Sequence, residues 1–306
     1  MTSTYMVSKR IRHPPTVSLI ICSRNRVQQL AQCLAKLPEA SFTEHKVELI
    51  LVDSASTDQT AEVMARHAEQ ADYPVRYIST PKPGLGLARN MGIAAATHEL
   101  LFFTDDDCYI AQDYIVQLLH HFDKARYQFC SGRVLLWDET DAMETVSYHD
   151  EYFLIPAGSF LATGVIHGAN MVIHRDVIDK AGAFNPGLGA GTPMRCEDVE
   201  MLGRALMHGF SGAYIPELVI YHHHRRKPGA QIEQLRSAND VARGAYYACM
   251  ADQGFIKHWY EGMKLSFETG TEPEHKHKKY QVLLRELEGA QLYFKHKLSQ
   301  NAENII

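Results

Sequence analysis

Three adjacent carboxylates, Asp105, Asp106 and Asp107, are the most informative feature of the sequence. They follow Leu100–Phe103, an apolar run of the length of a buried strand. Neighbouring carboxylates repel each other unless a cation lies between them. At the carboxyl end of a strand in an open α/β sheet, they would hold a divalent metal against a phosphorylated substrate. We favour this interpretation over simple capping of the helix predicted over 112–122.

Apolar runs alternate with helical patterns through the first hundred residues. Strands are predicted at 17–22, 47–52, 74–78 and 100–103. Such alternation predicts a mostly parallel central sheet flanked by helices on both faces. The loops that follow parallel strands meet at one edge of the sheet, so we expect a nucleotide to bind there.

These loops carry further candidate ligands for a nucleotide. Ser23, Arg24 and Arg26 follow the first predicted strand, and Asp53 ends the second. Asp53 could accept hydrogen bonds from a base or ribose, and helix capping is its alternative role. The guanidinium groups of Arg24 and Arg89 could bind a base or a diphosphate, or could lie solvated at the surface.

The composition narrows the classes of function. The chain has 306 residues and a formal net charge of -5, and it has no aromatic-plus-basic RNA-binding motif, so no nucleic-acid partner is expected. Its six cysteines lack the close spacing of a zinc ribbon or a disulfide scaffold, which favours reduced thiols in a cytoplasm. No segment approaches the ~20 apolar residues that span a bilayer, so we expect neither export nor membrane insertion.

The motifs, in their order and spacing, resemble family 2 glycosyltransferases. These are inverting enzymes of the GT-A fold that transfer a sugar from a nucleotide diphosphate donor. The resemblance covers about residues 16–227. It is carried by the Asp triplet together with Asn25-Arg26, Val52-Asp53, Gly84 to Gly92, Gly168-Ala-Asn-Met-Val-Ile-His-Arg175, Gly182-Ala-Phe184, Gly187 to Gly191 and Cys196-Glu-Asp-Val-Glu200. The glycines at 84–92 lack the third Gly of G-x-G-x-x-G, which rejects a Rossmann dinucleotide site.

The resemblance implies a divalent metal, Mn²⁺ or Mg²⁺. Its Asp-x-Asp motif falls on Asp105 and Asp107, and leaves Asp106 for the ribose or for a water on the metal. A family histidine matches His222 best, but three consecutive histidines leave the register open, so His224 is a second candidate ligand. The alternative is a surface cluster with the basic residues 225–227, which could also cover the diphosphate.

The resemblance also assigns the catalytic groups. Asp198 takes the position of the catalytic base, and Glu197 orients the acceptor or the donor sugar. Dipole complementarity at the start of a helix is the alternative role for both carboxylates. Gly168 and Asn170 would lie close to the donor sugar, and residues 139–164 mark a region that could bind the acceptor.

The predicted organisation has three parts. Residues 1–15 form an N-terminal extension. Residues 16–227 form a GT-A catalytic domain, with a nucleotide-binding half at about 16–108 and an acceptor-binding half at about 109–227. Residues 228–306 form a helical C-terminal extension, in which an amphipathic helix is predicted over 280–298. That helix packs on the catalytic domain by default, with peripheral membrane contact or homo-oligomerisation as hypotheses.

The expected function is metal-dependent, inverting sugar transfer to a hydroxyl of a glycan, a glycolipid or another lipid-linked acceptor in the biosynthesis of a polysaccharide or related glycoconjugate. UDP is the family-level expectation for the nucleotide, and the location is cytoplasmic or peripheral at the inner face of the membrane. Two alternatives stay open. A noncatalytic binding protein would lose the base or the metal ligands. A sugar-phosphate nucleotidyltransferase would carry a glycine-rich basic loop after its first strand, which Ser23 to Arg26 do not supply.

Overall fold

The structure is a computed structural model of the chain. It describes residues 15–192, 194–255 and 273–303, together with residues 257, 260, 261 and 264. The predicted extension over residues 1–15 lies outside the described residues, apart from Pro15.

Nine strands of the described chain form one sheet in the order β3-β2-β1-β4-β8-β6-β9-β5, with β7 beside β9. The strands are β1 (Val17–Ser23), β2 (Glu48–Asp53), β3 (Val75–Ser79), β4 (Leu100–Asp105), β5 (Cys108–Ile110), β6 (Phe129–Leu136), β7 (Phe153–Ile155), β8 (Met171–His174) and β9 (Gly212–His222).

Helices flank this sheet and form the C-terminal part. They are α1 (Val27–Leu34), α2 (Glu39–His45), α3 (Thr60–Gln70), α4 (Leu85–Ala95), α5 (Tyr114–His121), α6 (Arg175–Ala181), α7 (Glu197–Met207), α8 (Ala230–Asp252) and α9 (Pro273–Glu303). The predicted fold class, a sheet flanked by helices with a helical C-terminal extension, is confirmed. Among the described helices, none combines the length and the hydropathy that crossing a membrane requires.

Parallel pairing joins β3, β2, β1 and β4, as the sequence predicts. The register sets Ser23 beside Asp53 and Cys22 beside Asp105, so the loops after β1, β2 and β4 share one edge. The rest of the sheet is mixed. β8 runs antiparallel to β4 and β6, while β9 is parallel to β6 and antiparallel to β5 and β7.

Two hydrophobic cores lie on opposite faces of the sheet. Ile20 and Phe103 belong to one core, and their neighbours Leu19 and Phe102 belong to the other. Because both faces of the central strands are buried, these strands read as continuous apolar runs rather than as alternating patterns. The first core continues through α7 into α8.

The C-terminal helices α8 and α9 pack against each other at unusually close range. A Cβ atom at Gly244 would lie 1.8 Å from the backbone oxygen of Glu286, and one at Gly289 would lie 1.8 Å from that of Val241. Arg243 Nε, on α8, also lies 2.6 Å from Glu286 Oε1. This contact lies within the C-terminal extension, and it is α8 that shares the first core with α7 of the preceding part of the chain.

Candidate active site

A cavity of about 790 Å³ opens at the carboxyl ends of β1 and β4. The start of α7, the end of β9 and one face of α8 complete its walls. Several residues predicted from the sequence line it, namely Ser23, Arg24, Arg26, Asp105, Asp106, Asp107, Glu197, Asp198 and His222. Segments 143–146 and 163–164 of the predicted acceptor region line it as well. The fold therefore brings together side chains that lie as far as 199 positions apart, from Ser23 to His222.

The Asp triplet is only partly exposed. The Asp105 side chain is 38% exposed, whereas those of Asp106 and Asp107 are almost buried. Ser23 Oγ donates a hydrogen bond of 2.5 Å to Asp106, and Arg26 contacts both Asp106 and Asp107. Burial raises the pKa of Asp106 to about 7, although Arg26 opposes this rise. The chain's own cation thus offsets part of the like-charge repulsion.

Asp107 and His222 form a close pair across the cavity floor. His222 Nε2 lies 3.3 Å from Asp107 Oδ1. Burial alone would raise the pKa of Asp107, but its contacts with His222 and Arg26 hold that pKa well below its usual range. The same contact with Asp107 raises the pKa of His222, against the effect of burial. The register of β9 therefore selects His222, among the three consecutive histidines, as the partner of the triplet.

This pair could hold a metal. Ligand atoms of Asp107, Cys108 and His222 all lie within 4.8 Å of one another. Burial raises the pKa of the Cys108 thiol well above its ordinary value, and a thiol suits Mn²⁺ or Mg²⁺ less well than a carboxylate does. The remaining carboxylate and imidazole donors suit Mn²⁺, and carboxylates suit Mg²⁺. The residues present therefore fit the divalent metal that the sequence predicts.

His224 does not agree with its predicted role as a metal ligand. Its Nε2 donates to the backbone oxygen of Ala142 at 3.0 Å, and its Nδ1 accepts from the backbone N–H of Arg226 at 3.0 Å. Burial lowers its pKa, which favours the neutral ring that these two bonds require. Both ring nitrogens are occupied, so His224 fixes the chain after β9.

Arg89 occupies a different place from the one predicted. Its side chain is almost buried, with Nη1 2.7 Å from Glu197 Oε1 and Nη2 3.6 Å from Asp105 Oδ1. Nη2 also donates to the backbone oxygen of Gly168 at 3.3 Å. Arg89 therefore joins α4, β4 and α7 behind the cavity wall rather than presenting its guanidinium to a diphosphate. Burial still raises the pKa of Glu197 to about 7.

Asp198 lies at the first turn of α7 and faces the cavity. Its Oδ2 accepts a 2.7 Å hydrogen bond from the backbone N–H of Gly168. A Cβ atom at position 168 would lie 2.8 Å from the same oxygen, so a glycine there permits the contact. Cys196, just before α7, has a φ of 95°, a conformation that is costly for a residue other than glycine. This turn directs the start of α7 toward the strand edge.

Two predicted nucleotide-sugar ligands are held by other contacts. Asn170 is fully buried, and its side-chain amide donates to the backbone oxygens of Arg133 and Leu218. The structure therefore corrects its assignment to the donor sugar. Asp53 reaches the correct edge, but its oxygens accept from Ser56 N–H at 3.1 Å and from Ser79 Oγ at 3.0 Å. These bonds shape the loop after β2, and a base-binding role for Asp53 stays a prediction.

Other residues line the cavity without having been predicted as ligands. They include His167, Arg195, Leu235, Asn239 and Arg243. Leu235, Asn239 and Arg243 lie on α8 with the i, i+4, i+8 spacing of one helix face. A helix face that packs in the core has the same spacing, so the sequence does not distinguish the two. Arg195 directly precedes the Cys196 motif, and this position in the sequence could have indicated that Arg195 lies at the cavity. Arg226 also lines the cavity, in line with the alternative that the residues after His224 cover a diphosphate.

The sheet edge, the Asp triplet and the cavity have the arrangement expected of a GT-A transferase. The family model described as "Glycosyl transferase family 2" matches residues 18–182, more than half of the chain. This chain belongs to glycosyl transferase family 2, and it is a glycosyltransferase.

Curated relatives agree with this assignment. Glycosyltransferase AglE of Haloferax volcanii is 25% identical over 78% of this chain and 76% of the relative. The putative glycosyltransferase EpsH of Bacillus subtilis is 33% identical, over 34% of this chain and 30% of the relative. The chain thus spans about three quarters of one relative's length and less than a third of the other's.

Solved structures show the same fold. The mannosyltransferase PcManGT of Pyrobaculum calidifontis, in complex with GDP-Man and Mn²⁺, has a TM-score of 0.58 at 17% identity, over 95% of this chain and 88% of that one. Residues 1–349 of S. aureus TarS, in complex with UDP-GlcNAc, have a TM-score of 0.55 at 14% identity, over 90% and 81%.

Proposed function

We propose that this glycosyltransferase is metal-dependent and inverting, and that Asp198 is its catalytic base. One observation carries the proposal. The Asp198 carboxylate, fixed by the Gly168 N–H, lines the same cavity as Asp105, Asp107 and His222. A base and a candidate metal centre therefore flank one space, where a donor and an acceptor can meet.

The donor in this proposal is a nucleotide diphosphate sugar. Asp107 and His222 would hold Mn²⁺ or Mg²⁺, with Asp105 as a further ligand at the end of β4. When bound, the metal would neutralise the charge of the departing diphosphate. Arg24 and Arg26 line the opening and supply guanidinium donors for the phosphates or the base. The structural neighbours contain GDP-Man and UDP-GlcNAc. We propose UDP as the nucleotide because it is the family expectation, and GDP is the alternative.

The proposed step is a single displacement at the anomeric carbon. Asp198 takes the proton from an acceptor hydroxyl while that oxygen attacks opposite the leaving diphosphate, and the configuration inverts. The Arg89 contact fixes the Glu197 carboxylate beside the base, where Glu197 orients a bound sugar.

The acceptor is proposed to be a glycan, a glycolipid or another lipid-linked hydroxyl compound in the biosynthesis of a polysaccharide or glycoconjugate. It would bind beside segment 143–146 and α8, which line the same cavity as the Asp triplet. The proposed location is the cytoplasm, with peripheral contact at the inner membrane face as the alternative. The proposed boundaries remain a catalytic domain at 16–227 and an extension at 228–306.

Calorimetry tests the donor and the metal together. UDP, GDP, dTDP and CMP are titrated with and without Mn²⁺ into the wild type, Asp107→Ala and Asp179→Ala, whose exposed carboxylate lies on α6. We expect Mn²⁺-dependent binding of one nucleoside diphosphate, its loss in Asp107→Ala, and its retention in the control. Equal binding with and without Mn²⁺ would contradict the metal site, and binding of none of the four would favour a protein that has lost donor binding.

Catalysis needs a separate test of stereochemistry. With the nucleotide identified, NMR of the product of a sugar transfer reports the anomeric configuration. A product of inverted configuration agrees with a single displacement and a base at Asp198. A product of retained configuration would rule out this mechanism.

A further inference from the structure

Helix α9 presents a line of large apolar side chains to solvent. Tyr280 is 70% exposed, Leu284 55%, Leu287 51%, Phe294 44% and Leu298 69%. The opposite side of α9, which includes Glu286, Gly289 and Tyr293, is buried. The helix is thus packed on one face and apolar on the other. We call the exposed line, together with Gln291 between Leu287 and Phe294, the α9 stripe.

The spacing of the α9 stripe is that of a helix seam. Successive members lie four, three, four, three and four residues apart. This strict period of 3.5 residues is that of two helices packed along their length. A helix that lies on a membrane surface has a broad apolar face and a rim rich in Lys and Arg. The α9 stripe is narrow instead, as expected for contact with another helix.

The charges beside the stripe identify the second helix. Glu288 and Lys295 are exposed on the same edge of the stripe, seven residues apart and opposite in sign. If a second α9 runs antiparallel, Glu288 of each copy faces Lys295 of the other, and Leu287 faces Leu298. The charges along this edge of the α9 stripe are then complementary to those of the second copy. We propose that a second copy of this chain docks antiparallel along the α9 stripe to form a symmetric dimer.

The size of the stripe sets the expected strength of the dimer. Its five apolar side chains, each about half exposed, offer on the order of 500 Å² per chain. Two copies would then bury about 1,000 Å², which is near the lower limit for a specific interface. We therefore expect a dissociation constant in the micromolar range rather than an obligate dimer.

Sedimentation of the full chain tests the dimer. We compare the wild type with Leu287→Glu and with Val116→Glu, since Val116 is a similarly exposed apolar residue on α5, 47% exposed. We expect concentration-dependent dimers for the wild type and the Val116 variant, and a monomer for Leu287→Glu. Thermal melting shows whether each variant is folded. A wild type that stays monomeric up to about 100 μM, well above a micromolar dissociation constant, would overturn the proposal.

A charge exchange tests the antiparallel pairing. Glu288→Lys places Lys against Lys twice in the dimer and is expected to weaken it about tenfold, and adding Lys295→Glu is expected to restore it. A double variant no tighter than Glu288→Lys would reject the pairing.

Flotation with vesicles of phosphatidylcholine and phosphatidylglycerol tests the membrane alternative. Flotation of a wild type that sediments as a monomer would replace the second copy with a lipid surface.

Discussion

The strand edge that carries the Asp triplet and the helix pair α8–α9 differ in how completely their acidic groups are paired. At the edge, burial and the neighbouring carboxylates raise the pKa of Asp106 and that of Glu197 to about 7, although Arg26 and Arg89 oppose this rise. In the helix pair, Arg243 contacts Glu286 and Arg285 contacts Asp240, so these acids are paired across the crossing. The first region holds charges ready for a ligand, and the second provides packing. Substitutions in the two regions are therefore expected to separate activity from stability.

The largest effect is expected from Asp198→Asn. The amide keeps the size of the side chain but cannot take the proton, so sugar transfer is expected to fall by about 10³-fold. The Michaelis constant for the donor and the melting temperature are expected to change little, because the change leaves β4 and the core intact. Steady-state kinetics measure this, with Asp179→Asn as the control. Activity within tenfold of the wild type would remove Asp198 from the base role.

The opposite pattern is expected at the helix crossing. Gly289→Val places a side chain against the backbone of α8, where a Cβ atom alone would lie 1.8 Å from the Val241 oxygen. The free energy of unfolding is expected to fall by about 3 kcal/mol, since the two helices must move apart. Chemical denaturation measures it. Ala238→Gly, at an exposed position of α8, is the reference and is expected to cost about 1 kcal/mol. An equal loss in both variants would show that the close approach does not matter.

The pH dependence of stability probes the strand edge. The folded pKa of Glu197, about 7, lies above the ordinary value of 4.5, so the folded state binds more protons between these pH values. The free energy of unfolding of the wild type relative to Glu197→Gln is therefore expected to fall as pH rises from 4.5 to 7, by on the order of 2 kcal/mol. Denaturation in buffer containing a chelator measures this difference. The exposed Glu69→Gln is the control, and a difference that rises with pH would contradict a raised pKa at Glu197.

The smallest effect is expected at the surface contact between α8 and the loop beside the cavity. Arg236 Nη2 lies 2.6 Å from Glu144 Oε1, but Arg236 is 56% exposed. Arg236→Ala is expected to lower the free energy of unfolding by less than about 1 kcal/mol, and the loss is expected to shrink in about 1 M salt. Denaturation at two salt concentrations measures it, with the exposed Arg66→Ala on α3 as the control. A loss above that limit would show that this contact belongs to the packed core.

The strand edge was predictable because its signals are local in the sequence. A buried strand gives an apolar run, and Asp105 to Asp107 follow one such run directly. The parallel order of β1, β2 and β4 then brings distant loops to the same edge. The comparisons with known proteins confirm the predicted membership of family 2, the GT-A fold and the transferase activity.

The errors come from side-chain direction and from helix packing. Asn170 lies next to Met171 at the start of β8, and its motif does not show that its amide points into the sheet. His224 follows His222 by two residues, but the chain leaves β9 there and uses both ring nitrogens for its turn. The cavity face of α8 has the spacing of any packed helix. These outcomes depend on tertiary contacts that a linear pattern does not record.

Helix α8 has one face toward the cavity and another against α9. Leu235, Asn239 and Ala242 line the cavity, while Gly244 lies at the crossing with α9. Under the proposed function, the C-terminal extension forms part of the cavity wall on the side where the acceptor binds. Divergence in α8 and α9 can then change which acceptors fit while the donor chemistry at the strand edge stays intact. Under this proposal, substitutions on the cavity face of α8 are expected to change acceptor selectivity and to leave the donor-binding residues unaltered.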